Sequence, residues 1–165
     1  AAAAVLILIS AFTTRHLIHT EDPVQMFSVQ APQGTNSRIS LPDGSQVWLN
    51  AGSKLEYPAT FENASERRVR IEGEAFFEIK RDTCCPFCVE LGDGECIRVL
   101  GTSFNVNAYA GNGRHVTTLV TGRIGYAASA GAEEVVLEPN QQVSRDLAAG
   151  TGCCPCIRTA RIGTR

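Results

Sequence analysis

Hydrophobic and polar residues alternate with a period of two along much of the chain, most clearly from Val69 to Ile79. Val69, Ile71, Ala75, Phe77 and Ile79 share one parity, while Arg68, Arg70, Glu72, Glu74, Glu78 and Lys80 share the other. This is a strand with one dry face and one wet face. Gly73 falls on the dry parity, where it predicts a bulge or a close approach of another backbone. Val47, Leu49 and Ala51 repeat the alternation over a shorter run. From Ile97 the parity slips: Ile97 and Val99 give way to Leu100, Thr102, Phe104, Val106 and Ala108. Such a slip predicts a β-bulge near Leu100-Gly101.

The punctuation between these runs is that of a β protein. Leu41-Pro42-Asp43-Gly44 puts proline where φ near −65° is wanted and glycine where φ can be positive, the pattern of a tight turn. Gly92-Asp93-Gly94 and Gly111-Asn112-Gly113 sit between strand-like runs and predict hairpin loops, with Ser129-Ala130-Gly131-Ala132 as a fourth turn. No long amphipathic helix follows residue 30. Many short strands with regular turns predict an all-β sandwich, barrel or solenoid.

The first residues follow a different pattern. Ala1 to Phe12 is apolar apart from Ser10, and the chain turns polar at Thr13-Thr14-Arg15. A helix of that length spans only ~18 Å against a hydrocarbon core of about 30 Å. The expectation is the C-terminal part of a transmembrane helix, ahead of a signal-peptide core or a buried helix. Residues 1–19 are thus read as a truncated transmembrane helix with its juxtamembrane segment. Residues 20–30, with Glu21-Asp22-Pro23, are a connector, 31–148 a β domain, and 149–165 a tail bearing cysteine and arginine.

Composition narrows the function. Hydrophobic residues are 44% of the 165, enough for a packed core without disulfides or metal. A net charge of −2 with no clustered basic face argues against nucleic-acid binding, and the arginines between Arg158 and Arg165 read as a frayed tail ahead of a binding patch. Glu72 and Glu74, two apart on one strand face and so ~7 Å from each other, match the spacing of an inverting glycosidase pair. A solvated face interleaved with Arg68, Arg70 and Lys80 accounts for them better. His16 and His19, one helical turn apart, read as interfacial residues rather than metal ligands. No G-x-S-x-G, H-E-x-x-H or phosphate loop occurs, so no enzyme is expected.

Three sequence blocks stand out along the chain. The first is Leu41-Pro42-Asp43-Gly44-Ser45-Gln46-Val47-Trp48-Leu49-Asn50-Ala51-Gly52-Ser53, continuing through Leu55, Tyr57-Pro58 and Phe61. The second surrounds Glu72-Gly73-Glu74-Ala75-Phe76-Phe77, and the third is Val99-Leu100-Gly101-Thr102-Ser103-Phe104-Asn105-Val106 with Ala108-Tyr109. Fainter echoes follow at Thr118-Leu119-Val120 with Gly122, and from Leu137 to Gln142. Together these blocks resemble the FecR protein family: they stand in family order and cover about residues 28–145. The resemblance implies an all-β, twisted solenoid-like periplasmic domain of a single-pass inner-membrane anti-sigma regulator. Such regulators relay a signal from the signalling domain of a TonB-dependent outer-membrane transporter to an extracytoplasmic-function sigma factor. It implies no cofactor. The cytoplasmic segment that would hold the sigma factor is absent from this sequence.

The motif residues have physical roles that need no catalysis. Pro42, Asp43 and Gly44 build the turn, Gly73 and Gly101 permit bulges, and Phe77 and Phe104 anchor a core. Trp48 has the parity opposite to Val47 and Leu49, so it lies on the other face, either in a second small cluster under a loop or exposed for docking.

The seven cysteines stand outside the family pattern. Cys85 with Cys88 and Cys153 with Cys156 form two C-x-x-C units, the candidate metal ligands, though their separation is far longer than in zinc ribbons. In an oxidising compartment disulfides are the stronger expectation, and Cys88 and Cys96 flank the Gly92-Asp93-Gly94 turn where they can face each other. Two rival functions follow: a cysteine-based redox or metal-sensing β module, and a structural β module that self-assembles through open edges.

Overall fold

The computed structural model describes residues 25–147 and 157–161. Within them lie thirteen strands and two single-turn 3-10 helices, Gly92–Gly94 and Ala110–Asn112. The strands are β1 (Met26–Gln30), β2 (Ser37–Ser40), β3 (Gln46–Leu49), β4 (Lys54–Pro58), β5 (Arg67–Glu78), β6 (Phe87–Glu90) and β7 (Cys96–Val99). They continue with β8 (Ser103–Ala108), β9 (Arg114–Thr121), β10 (Ile124–Ala127), β11 (Val135–Leu137), β12 (Gln141–Asp146) and β13 (Ile157–Arg161). The all-β expectation holds, and the architecture is sandwich-like. The expected transmembrane helix, with His16 and His19, falls in residues 1–24 and lies outside the described residues. Strand β1 occupies the end of the stretch read as a connector, drawn into the sheet by pairing with β4 from Met26↔Pro58 to Gln30↔Lys54. Strand β13 lies within the stretch read as the tail and pairs with β12.

The long strand β5 organises everything else. Its first half pairs with β4 and, in parallel, with β6; its second half pairs with β3 and β8. One sheet (sheet I) runs β1-β4-β5-β6-β7-β10-β11, and the other (sheet II) runs β2-β3-β5-β8-β9-β12-β13. The sandwich is therefore one continuous sheet folded over along β5. The fold falls at Gly73, which has φ +99° and lies so close to Ser53 that a Cβ would sit 2.9 Å from its Cα. A side chain there is blocked both by φ and by space, so the close approach expected of Gly73 is what forms.

Alternation along β5 is complete. Every second residue from Arg67 to Phe77 is buried, and Arg68, Arg70, Glu72 and Glu78 are exposed. The dry faces of both sheets meet in one core. In sheet I, Val69, Val89, Ile97 and Tyr126 are register partners; in sheet II, Val47, Phe77, Phe104 and Leu119 are. Phe77 and Phe104 stack with ring centroids 5.1 Å apart and are fully buried, so truncating either costs about 3–5 kcal/mol.

The four predicted turns all join antiparallel neighbours: β2–β3, β6–β7, β8–β9 and β10–β11. The predicted bulge at Leu100-Gly101 needs correcting. There the chain leaves sheet I at Val99 and enters sheet II at Ser103, so the parity slip is a change of sheet. Leu100, placed by its parity among buried residues, is 46% exposed at this crossing. The ladder irregularity lies at Ser103/Phe104, opposite Thr121 and Leu119, leaving Val120 unpaired. Gly101 is needed at the crossing because a Cβ would lie 2.6 Å from the Cα of Arg81.

Candidate functional site

The three sequence blocks become three neighbouring strands. β3 carries the first, β5 the second and β8 the third, and they lie side by side as β3-β5-β8 in the middle of sheet II. On the dry side Leu49, Ala75 and Val106 are partners across the ladders. On the wet side Glu74 collects the others: Asn50 Nδ2 donates to its Oε2 at 2.9 Å and Asn105 Nδ2 to its Oε1 at 3.0 Å. The Glu74 backbone N–H donates to Ser53 Oγ at 2.8 Å, and Tyr109 Oη donates to the Ala51 carbonyl at 2.8 Å. Glu74 is thus committed to amide partners, while Glu72 faces Lys54 across β4. The pair has the spacing of a glycosidase couple but not two free carboxylates aimed at one cleft.

Trp48 stands on this wet face, opposite in direction to Val47 and Leu49. Phe76 tilts against it with centroids 5.6 Å apart, and the Arg38 guanidinium lies 5.1 Å from its ring. The indole is half-buried by side chains of β2 and β5, with Arg38–Trp48–Phe76–Asn105 forming one transverse row.

Two buried ion clusters tie sheet I to sheet II. In the first, Arg67 at the start of β5 is 3% exposed. Its Nη1 donates to Asp43 Oδ2 at 2.6 Å and to the Lys80 carbonyl at 3.1 Å, its Nε to the Cys85 carbonyl at 2.9 Å. Asp43 also accepts from the Ser45 N–H and Oγ, at 3.0 and 2.7 Å. The Pro42-Asp43-Gly44 turn is therefore more than a turn: it holds a buried guanidinium whose remaining edge lies over the Phe87 ring. In the second cluster Glu95, with no exposed surface, accepts from Arg145 Nη1 at 2.5 Å on Oε1 and contacts His115 Nδ1 at 2.9 Å through Oε2. Glu95 comes from the β6–β7 hairpin; His115 and Arg145 come from β9 and β12. Burial, with the Glu95 charge beside it, holds the Tyr126 phenol above its ordinary range.

The cysteines divide. Cys88 and Cys96 form a disulfide across the β6–β7 hairpin, with Cα atoms 6.3 Å apart, as their placement around the turn predicts. Among the described residues Cys84 and Cys85 have no disulfide partner. Cys88 is therefore taken from the first C-x-x-C unit, and Cys153 and Cys156 lie outside the described residues. Among the described residues no group of three or more His, Cys, Asp or Glu is arranged to hold a metal. Above the disulfide, Arg68 and Arg98 share Glu66, and they reach Glu90 and Glu134 respectively.

A profile of the FecR protein family matches residues 27–125, which contain β3, β5 and β8 and everything Glu74 gathers. The chain belongs to the FecR family. Two crystal structures of a candidate anti-sigma factor from Parabacteroides distasonis share the fold. One superposes with a TM-score of 0.74 at 31% identity, over 83% of this chain and 60% of the other. The second gives 0.73 at 32% identity, over 82% and 59%. The chain thus spans about three fifths of their length. No curated protein matches it significantly. FecR-family domains are signalling modules and not enzymes, and this chain is read as one of them.

Sequence reasoning missed Arg67, Glu95, His115 and Arg145. Arg67 and Glu95 carried a signal: Arg67 has the dry parity of Val69 and Glu95 that of Ile97 and Val99, and a charged residue on a dry face calls for a buried partner.

Proposed function

We propose that this FecR domain is the periplasmic part of a single-pass inner-membrane anti-sigma regulator. Through protein–protein contacts it relays the state of a TonB-dependent outer-membrane transporter to an extracytoplasmic-function sigma factor. The family match over 27–125, together with the likeness to two anti-sigma structures, carries this reading. The Cys88–Cys96 disulfide supports an oxidising compartment. The motif residues support it too, because Glu74, Asp43 and the aromatic core act on rigidity rather than on a substrate. A relay requires a stiff body that a partner can bind differently in two states. The sigma factor would be held by a cytoplasmic segment beyond this sequence, and the apolar stretch within 1–19 would anchor the domain.

The test is binding of this domain, with and without its natural C-terminal extension, to the periplasmic signalling domain of a transporter encoded nearby. Micromolar or tighter binding that survives moderate salt is the expected result. No binding by the extended form removes the transporter from the mechanism. Cys84 and Cys85, unpaired among the described residues and beside a disulfide, then favour the second reading, a cysteine-based sensor, which alkylation mass shifts before and after reduction would report.

A further inference from the structure

Strand β11 ends sheet I, and among the described residues its only ladder partner is β10. Beside it a groove of about 470 Å³ runs along the crossing between the sheets. Its rims are Leu100 and Val136, 46% and 57% exposed, two of the five exposed large hydrophobic residues among those described. Its floor is the buried Val99 and Ile124, kept open by glycines rather than side chains.

The charges lining the groove are predominantly positive. Arg81 and Arg123 line it, are exposed, and have no carboxylate in ion-pair range among the described residues. Arg98 and Glu134 also line it and bond each other, with Arg98 shared with Glu66, so the lining sets three guanidinium groups against one partnered carboxylate. Two unpaired cations on a chain of net charge −2, set against exposed aliphatic rims, form a local inversion of the surface. The β1 edge differs: it exposes Met26 and Phe27, but the Lys54–Glu56 pair on its neighbour β4 is already neutralised.

We propose that the β11 edge and this groove form a docking site for an extended acidic segment of a protein partner, anchored by an apolar side chain. The segment would lie along β11, its aliphatic or aromatic side chain between Leu100 and Val136 and its carboxylates against Arg81 and Arg123. A strand of three residues supplies few ladder hydrogen bonds, so the groove and the two guanidinium groups carry the recognition. The proposal rests on the relay reading only in that it names a protein partner.

The probe is a fluorescein-labelled peptide of alternating leucine and aspartate, read by anisotropy against the whole chain, with a leucine–lysine peptide as control. The aspartate peptide should bind, more weakly as salt rises, and the lysine peptide should not. Val136→Asp should weaken binding by about tenfold or more. Arg81→Glu with Arg123→Glu should abolish it and admit the lysine peptide. That gain of binding shows the variant to be folded, and unfolding midpoints check Val136→Asp. Equal binding of both peptides, or binding indifferent to these substitutions, overturns the proposal. So does a concentration-dependent dimer that Val136→Asp abolishes, because the groove would then be filled by a second copy. If the transporter signalling domain binds while the aspartate peptide does not, the groove is wrong and the relay stands. If the peptide binds at the groove and the signalling domain binds nowhere, the groove stands and the relay loses its transporter.

Discussion

The two ion clusters that close the sandwich do the same work with opposite constructions. At one, the deeply buried member is a cation: Arg67 is 3% exposed, and its carboxylate Asp43 lies nearer the surface at 11%. At the other the buried member is an anion, Glu95 at 0%, while Arg145 stands at 15%. Arg67 also spends donors on two backbone carbonyls, so it is fixed in place whatever Asp43 does. Arg145 has one acceptor, Glu95, and a path to water. The difference matters when a partner is lost. A stranded Arg67 cannot leave, but a stranded Arg145 can swing outward.

Asp43→Ala is therefore expected to be the most damaging single change at either cluster. It should cost about 3–5 kcal/mol in urea unfolding, because it leaves an uncompensated guanidinium between the sheets. Arg67→Met should cost less than Asp43→Ala, since Asp43 keeps the Ser45 N–H and hydroxyl and has water within reach. The reverse order would mean that the cation is not trapped, and the contrast between the clusters would collapse.

Glu95→Ala should fall below that, at about 2–3 kcal/mol, with His115 left buried and Arg145 free to turn to solvent. A double-mutant cycle sharpens the point. Adding Arg145→Ala to Glu95→Ala should cost little more, whereas Arg67→Ala added to Asp43→Ala should recover part of the loss. Additive costs at both clusters would show that the ion pairs, as pairs, contribute nothing measurable.

The same contrast explains what could be read in advance. Strand β5 and its neighbours in sheet II were legible: the alternation from Val69 to Ile79, the Leu41-Pro42-Asp43-Gly44 turn and the Phe77–Phe104 core all follow from period and turn chemistry. Asp43 was legible as a turn residue but not as a counter-ion, because its partner lies 24 residues away on another sheet. Glu95 carried only the dry parity it shares with Ile97 and Val99. It directly follows a glycine turn, and its partners on β9 and β12 lie in the other sheet, so nothing local names them. Leu100 misled for a related reason. Periodicity assumes that one strand stays in one sheet, and at Leu100 the chain changes sheets. Trp48 was placed on the correct face, yet nothing local shows that its cover is Arg38 and Phe76.

The smallest expected effect lies on the open face of sheet I, where Glu66 bonds Arg98 Nε at 2.8 Å and Arg68 Nη2 at 2.7 Å. Partial burial alone would raise the Glu66 pKa, but hydrogen bonds and charge from Arg98 and Arg68 outweigh it and hold the carboxyl below its ordinary 4.5. A carboxyl whose pKa is depressed by folding contributes stability above its unfolded value and loses it as pH falls through the folded one. Arg68 is exposed and Arg98 partly so, which lets water screen both guanidinium groups, and Glu66→Gln should cost about 1 kcal/mol at neutral pH. That cost should fade as pH falls from the ordinary carboxylate range through the depressed folded-state pKa, where the wild-type carboxyl itself takes up a proton, and it should shrink in high salt. The Asp43→Ala cost should survive the same salt, since its guanidinium is screened by protein and not by ions. If salt weakened both equally, Arg67 would be reachable by solvent, and the distinction between a trapped and a free cation would fail with it.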